Sequence, residues 1–283
     1  MERIVVKCVE SREQAEGAGA RVRRSIGRHD LRNLDPFLLL DEAEVSLPAG
    51  FPDHPHRGFE TVTYVLEGNA EHEDFAGNRG TLRAGDLQWM TAGRGIVHAE
   101  MPNPKMKGLQ LWVNLKASDK MVEPAYQELK HAQIPRAEQD GVAVLVIAGE
   151  SMGVKAAIRT RTPVFYFDFT VKPGATSFSQ PVPEGWTCFA YTLSGTIEFG
   201  GRAIDSHFAV VFGDGEMVRF ENKGKTPARF VLLAGQPLKE PVFQHGPFVM
   251  NSEQEISAAI NDYTSHKNGF EKARSWRSKI GSK

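Results

Sequence analysis

Two short stretches decide the reading of this chain: FPDHPHRGFETVTYVLEG at residues 51–68 and GDLQWMTAGRGIVHAEMP at residues 85–102. The first places His54 and His56 one residue apart ahead of an alternating apolar run. The second repeats that spacing with His98 and Glu100 after a Gly-rich turn, Gly93 and Gly95. In a β-strand residues i and i+2 point to one face, so each pair projects together. Two such strands, paired across a barrel interior, bring three imidazoles and one carboxylate to a common point. Imidazole nitrogen and carboxylate oxygen are the ligand set of a divalent first-row metal. Glu60 has the parity of His54 and His56 and could face the metal as well. Glu100 shares a short strand with His98, which favours it as the fourth ligand. Glu60 then falls to a supporting role, accepting a hydrogen bond from a ligand imidazole.

The rest of the chain reads as short strands. TVTYVLEG, LQLWVNL, VAVLVIAG, TPVFYFDFTVKPG, TCFAYTLSGTIEFGG, FAVVFGDGEMVRFEN and ARFVLLAG are rich in β-branched and aromatic residues and end at turn formers. Counterparts recur in the two halves, TYVLEG with YTLSG and LRAGDLQWM with VFGDGEMVRF. The expected architecture is all-β, two related sandwich or barrel domains with a short C-terminal helix. The expected boundaries are residues 1–130, a polar linker at 131–141, and 142–283. The helix is marked by Ser252 and Glu255, spaced as a capping box, and by Ile256, Ala259, Ile260 and Tyr263 along one stripe.

Bulk properties narrow the function. The chain has 283 residues, 41% hydrophobic, and a formal net charge of −1. That composition suits a packed core, and the charge balance argues against a general nucleic-acid binder held by phosphate contacts. Apolar runs stop at a strand's length, so no membrane span is expected. Two cysteines, Cys8 and Cys188, make no disulfide framework and suit a reducing compartment. No P-loop, dinucleotide fingerprint or nucleophile elbow is present. Arg21, Arg23, Arg24 and Arg28 cluster, and the alternation Arg21-Val22-Arg23 puts two guanidiniums on one strand face, a surface for an acidic partner.

At the quoted residues the chain resembles the cupins, and the pirin family in particular. The likeness runs through ARVRRSIGR, NLDPFLLLDE, GLQLWVNL, KMVEPAYQEL, QHGPFVMN and KNGFE as well as the two opening stretches. It departs from the general cupin pattern in one extra residue before Gly68 and in Gly93 where cupins carry Pro. The resemblance implies a bicupin with one Fe(2+) in the N-terminal barrel, held by His54, His56, His98 and Glu100, with Glu60 not a ligand. The second barrel, where SFSQPVPEGW offers no imidazole, is then metal-free, and His207 and His245 are structural. Two roles are implied. One is an iron-dependent nuclear transcription co-regulator working through protein partners of the nuclear factor kappa B pathway, meeting DNA only within a complex. The other is a quercetin 2,3-dioxygenase that cleaves a flavonol with O2, Glu60 or Glu100 taking the flavonol proton. The expected state is a monomer in nucleus and cytoplasm. A closed tetrahedral zinc site is the structural alternative.

Overall fold

The computed structural model describes residues 1–281 and is built of strands, with one α-helix among the described residues. In chain order the first strands are β1 (Val5–Glu10), β2 (Arg12–Glu16), β3 (Ala20–Ile26), β4 (Phe37–Ser46), β5 (Phe51–His56) and β6 (Phe59–Asp74). There follow β7 (Arg79–Arg83), β8 (Leu87–Thr91), β9 (Ile96–Asn114), β10 (Ala125–Leu129), β11 (Arg136–Gln139) and β12 (Val142–Ala148). The later strands are β13 (Glu150–Ser151), β14 (Val154–Lys155), β15 (Val164–Val171), β16 (Phe178–Pro181), β17 (Thr187–Ser194) and β18 (Ile197–Phe199). The last are β19 (Arg202–Ile204), β20 (Phe208–Phe212), β21 (Met217–Glu221), β22 (Ala228–Gly235), β23 (Phe243–His245) and β24 (Phe248–Met250), then helix α1 (Glu253–Thr264).

Two compact units form, and neither is a continuous piece of chain. One gathers residues 13–24, 37–131 and the chain from Leu238 onward; the other gathers 1–12, 25–36 and 132–237. Contiguous boundaries at 130 and 142 therefore differ from the observed division at both termini. The reason is long-range pairing. β1 joins the second unit's sheet through β20, with Cys8 opposite Val210. Ile256 and Ala259 of α1 pack with Val97, Phe248 and Phe270 in the first unit. The capping box forms with a shift: Ser252 Oγ accepts from Glu255 N at 3.2 Å, while Glu255 Oε2 takes the amide of Asn251 at 2.8 Å, one residue early.

The second unit closes a seven-stranded sheet, β1-β20-β17-β22-β15-β12-β11, and a smaller sheet, β16-β21-β18-β19. Its interior is filled by aromatic rings: Phe169 and Phe220 lie 4.9 Å apart, as do Phe220 and Phe230. In the segment without imidazoles, Gln180 is buried and accepts from Ser151 Oγ at 2.6 Å.

The first unit's sheet runs β10-β8-β6-β9-β4-β3-β2, with β5 on β9 and β7 on β6. The pairing of the long strands β6 and β9 shifts register between Val65 and Glu67 and between Gly68 and Ala70. Gly58 separates β5 from β6 at φ +90°, and a Cβ there would lie 2.0 Å from the Val249 carbonyl oxygen. Only glycine permits both that conformation and that approach. Gly58→Ala is accordingly expected to lower stability by about 2–3 kcal/mol. Gly77→Ala, at φ +99° with no atom within 4 Å, isolates the backbone part of the cost. Urea denaturation of both variants compares them; equal losses would show that the Val249 contact is immaterial.

Candidate metal centre

β5 lies antiparallel on β9 with His54 directly opposite His98, and directly opposed residues share a face. His56 joins them from two residues along β5. The ring centroids of His54 and His98 are 4.4 Å apart, those of His54 and His56 4.8 Å, and those of His56 and His98 5.0 Å. One nitrogen from each ring falls within 4.8 Å of the others.

The donor chemistry fits a cation. His54 Nδ1 lies 2.8 Å from the Pro52 carbonyl, to which it donates, so that its Nε2 carries a lone pair. That Nε2 is 3.0 Å from His98 Nε2. Two nitrogens each about 2.1 Å from one ion and at right angles lie about 3.0 Å apart. Burial, followed by repulsion from His98, lowers the His54 pKa to about 4. Burial, followed by the charge of His72, lowers His98 to about 3. His56 is held well below its usual range by burial and by its two imidazole neighbours. All three rings are therefore neutral at pH 7, as ligands must be.

The chelator-treated protein should lose stability as the pH falls. The unfolded chain takes up protons on histidine near pH 6.5, whereas His54 takes one only near 4 and His98 near 3. Between those values the unfolded state binds more protons, so stability falls as the pH falls. Each imidazole contributes a slope of about 1.4 kcal/mol per pH unit across its window. Urea midpoints at pH 7 and pH 5 should differ accordingly; coincident midpoints would contradict the low pKa values.

Glu100 is buried beside the cluster, although the group of three close donors consists of the imidazoles alone. Its Oε1 accepts from Thr63 Oγ1 at 2.8 Å and its Oε2 from Gln110 Nε2 at 3.0 Å. A carboxylate has about four lone-pair sites, so these two bonds leave capacity for an ion. Glu60 is placed differently. The turn at Gly58 breaks the strand, so the parity of His54 and His56 does not carry into β6. Thr63 faces the cavity, and by alternation Glu60 faces away from it. Its Oε2 accepts from Trp89 Nε1 at 3.0 Å and its Oε1 from Thr91 Oγ1 at 2.7 Å. It is a buried anchor between β6 and β8.

A cavity of about 560 Å³ opens on His54, His56 and Glu100. That volume lies in the range of small-molecule sites. Its walls include Phe51, Leu39, Leu109 and Trp112, the last with its ring 5.4 Å from that of His56.

The arginine cluster divides in two. Arg21 and Arg23 point outward on either side of buried Val22 and share Glu13, at 3.3 and 2.8 Å. Arg24 turns inward: its Nε and Nη2 grip Asp41 at 2.8 and 2.6 Å, and it lines the cavity. Arg28 pairs with Asp30 at 3.4 Å. His245 is exposed, and His207 takes a left-handed backbone at φ +69° while its carbonyl accepts from Ser11 N at 2.9 Å.

Three supports were not picked out from the sequence. Lys120 is buried and its Nζ donates to Gly58 O, Asn114 Oδ1 and Val249 O at 2.8, 2.6 and 3.0 Å. Arg57 is buried against Asp262 of α1 at 2.9 Å. Gln110, which positions Glu100, did leave a signal: a polar residue inside the apolar run LQLWV.

Comparison with known proteins agrees with this geometry. The Pirin family model matches residues 19–113, and the model of the Pirin C-terminal cupin domain matches residues 166–269. The chain is 59% identical to human Pirin, over 98% of both chains. It is equally identical to a Pirin-like protein of Solanum lycopersicum, over 98% of this chain and 97% of the relative. A crystal structure of quercetin 2,3-dioxygenase from Acinetobacter baumannii superposes with a TM-score of 0.87 at 32% identity, covering 95% of this chain and 99% of that one. A bacterial pirin of Escherichia coli, YhhW, solved with nickel(II), shares the fold at a TM-score of 0.66 and 18% identity, covering 82% of this chain and 98% of that one. No described helix is long and apolar enough to cross a membrane. With two barrels, an imidazole cluster in the first and this extent of identity, the chain belongs to the pirin family and has the bicupin fold.

Proposed function

We propose that His54, His56, His98 and Glu100 hold one Fe(2+) and that the adjoining cavity binds a flavonol for dioxygenation. The observation that carries this reading is a largely apolar cavity of about 560 Å³ opening directly on the imidazole cluster. The likeness to a solved quercetin 2,3-dioxygenase supports it. When bound, iron supplies Lewis acidity and positions for substrate and dioxygen beyond the protein ligands. The protein's own groups do the rest. Trp112 and Phe51 give flat walls that align a planar ring system and exclude water. Glu100 is the cavity carboxylate beside the imidazole cluster and serves as the base: it accepts the flavonol hydroxyl proton while Thr63 and Gln110 hold it in place. Anaerobic titration of the iron-loaded protein with quercetin, then admission of oxygen, tests the reading. Absence of ring-cleaved product at full metal occupancy would refute it.

A second, compatible reading is an iron-dependent transcription co-regulator of the nuclear factor kappa B pathway, acting in nucleus and cytoplasm. Exposed Arg21 and half-buried Arg23, on one strand face, favour it as a surface for an acidic protein partner. Ferrous and ferric forms should then differ in partner affinity, and equal binding by both would count against it.

A further inference from the structure

We infer that Arg24, Asp41 and Glu16 form a recognition subsite at the end of the cavity away from the metal ligands, one that takes an uncharged hydroxylated aromatic ring and rejects an anionic one. This deepens the proposed function and rests on the cavity being a flavonol site.

Thr63 of β6 lies opposite Gln110 of β9, and Gln110 lies opposite Asp41 of β4. Directly opposed residues share a face, and adjacent strands are about 4.8 Å apart. Thr63, Gln110 and Asp41 therefore make one polar row of roughly 10 Å across the cavity wall. The row starts at the two donors that hold Glu100. Arg24, from the next strand, continues it. Its Nε donates to Asp41 Oδ1 at 2.8 Å, and its Nη2 to Asp41 Oδ2 and Glu16 Oε2, both at 2.6 Å. All three residues line the cavity.

A wholly structural ion pair is a weak explanation for this arrangement. A buried pair is often replaceable by apolar residues without loss of stability, and the neighbouring wall is already apolar. The triad also has a particular chemistry. Two carboxylates face one guanidinium, for a net charge of −1. The planar fork is fixed by Asp41, and Nη1 has no hydrogen-bond acceptor among the described residues, so it remains as a donor for a ligand. A phenol matches both needs: its oxygen accepts from Nη1, and its hydroxyl donates to a spare lone pair of Glu16 or Asp41. A sulfonate or carboxylate meets the same donor but also two negative groups with no proton to offer them.

The test is a binding measurement made without oxygen, so that turnover is not the readout. The ferrous protein is titrated with quercetin, with galangin, which lacks hydroxyls on its pendant ring, and with quercetin sulfonated on that ring, following tryptophan fluorescence. Galangin and the sulfonate are each expected to bind about tenfold more weakly than quercetin, the worth of one charge-assisted hydrogen bond. Asp41→Asn should bring quercetin down to the level of galangin. Glu16→Gln, at a half-exposed position that tolerates change, should narrow the gap between quercetin and its sulfonate and leave galangin where it was. Equal affinity of the unaltered protein for all three ligands overturns the subsite and leaves the flavonol reading standing. Failure of all three to bind removes that reading and the subsite with it.

Discussion

His98→Ala is expected to lower the affinity for a divalent metal by at least about 100-fold, because loss of a partner that merely supports a ligand already costs 10- to 100-fold. His98 is the imidazole that β9 contributes; His54 and His56 both come from β5. Without it the two remaining rings, 4.8 Å apart between centroids, sit on one strand and no longer close around a point. A melting experiment reads the effect twice. A ligand that binds only the folded state stabilises it by about 2.7 kcal/mol at 100 times its dissociation constant, so the unaltered protein should gain stability when metal is added. The variant should gain almost nothing, and its metal content after equilibration with a chelator should fall to background. Glu60→Gln is the counterpart. Glu60 is tied to Trp89 and Thr91, so metal content should hold while stability drops. Metal retained by His98→Ala, or lost by Glu60→Gln with the fold intact, would reverse the assignment.

The contrast between these two residues shows what could be read from the chain beforehand. The strands were legible because their period of two is local: TVTYVLEG lies within β6 and VAVLVIAG spans β12 and its closing glycine. The H-x-H and H-x-E pairs were legible for the same reason, each on one strand face. Parity fails where the strand is interrupted, and Gly58 interrupts it between His56 and Glu60. The exchange of termini between units was not legible either. Ile256 and Ala259 announce an apolar face without saying which barrel will cover it, and β1 carries no mark of its pairing with β20. Arg24 lies beside Arg21 and Arg23 in the sequence, yet strand alternation separates it from both. Buried charges are hardest to foresee because their partners are distant: Arg57 and Asp262 stand 205 positions apart.

That distant pair is the basis of the second large expectation: Asp262→Ala should destabilise the protein by about 3–5 kcal/mol. Arg57 directly follows His56, and its side chain is only 2% exposed. It donates from Nη1 to Asp262 Oδ2 at 2.9 Å, from Nη2 to the Asn268 carbonyl at 2.7 Å and from Nε to the Arg94 carbonyl at 2.6 Å. The guanidinium also lies 4.7 Å from the centroid of the Phe270 ring. One side chain thus ties three pieces together: the end of β5, the Gly-rich turn that feeds His98, and the segment around α1. Removing the carboxylate leaves a buried cation with two carbonyls but no counter-charge, which is where most of the expected cost arises. Asp262→Asn keeps an acceptor oxygen and should cost less. Replacing both members together, Arg57→Met with Asp262→Leu, should recover much of the loss, because no unpaired charge then remains. Metal binding adds an independent readout. If the pair fixes the angle at which His56 and the Arg94 turn approach each other, Asp262→Ala should weaken metal affinity even in molecules that remain folded. The double replacement should then restore stability better than affinity. A loss below about 1 kcal/mol for Asp262→Ala, the level of an exposed ion pair, would mean that α1 covers the metal-bearing strands without holding them.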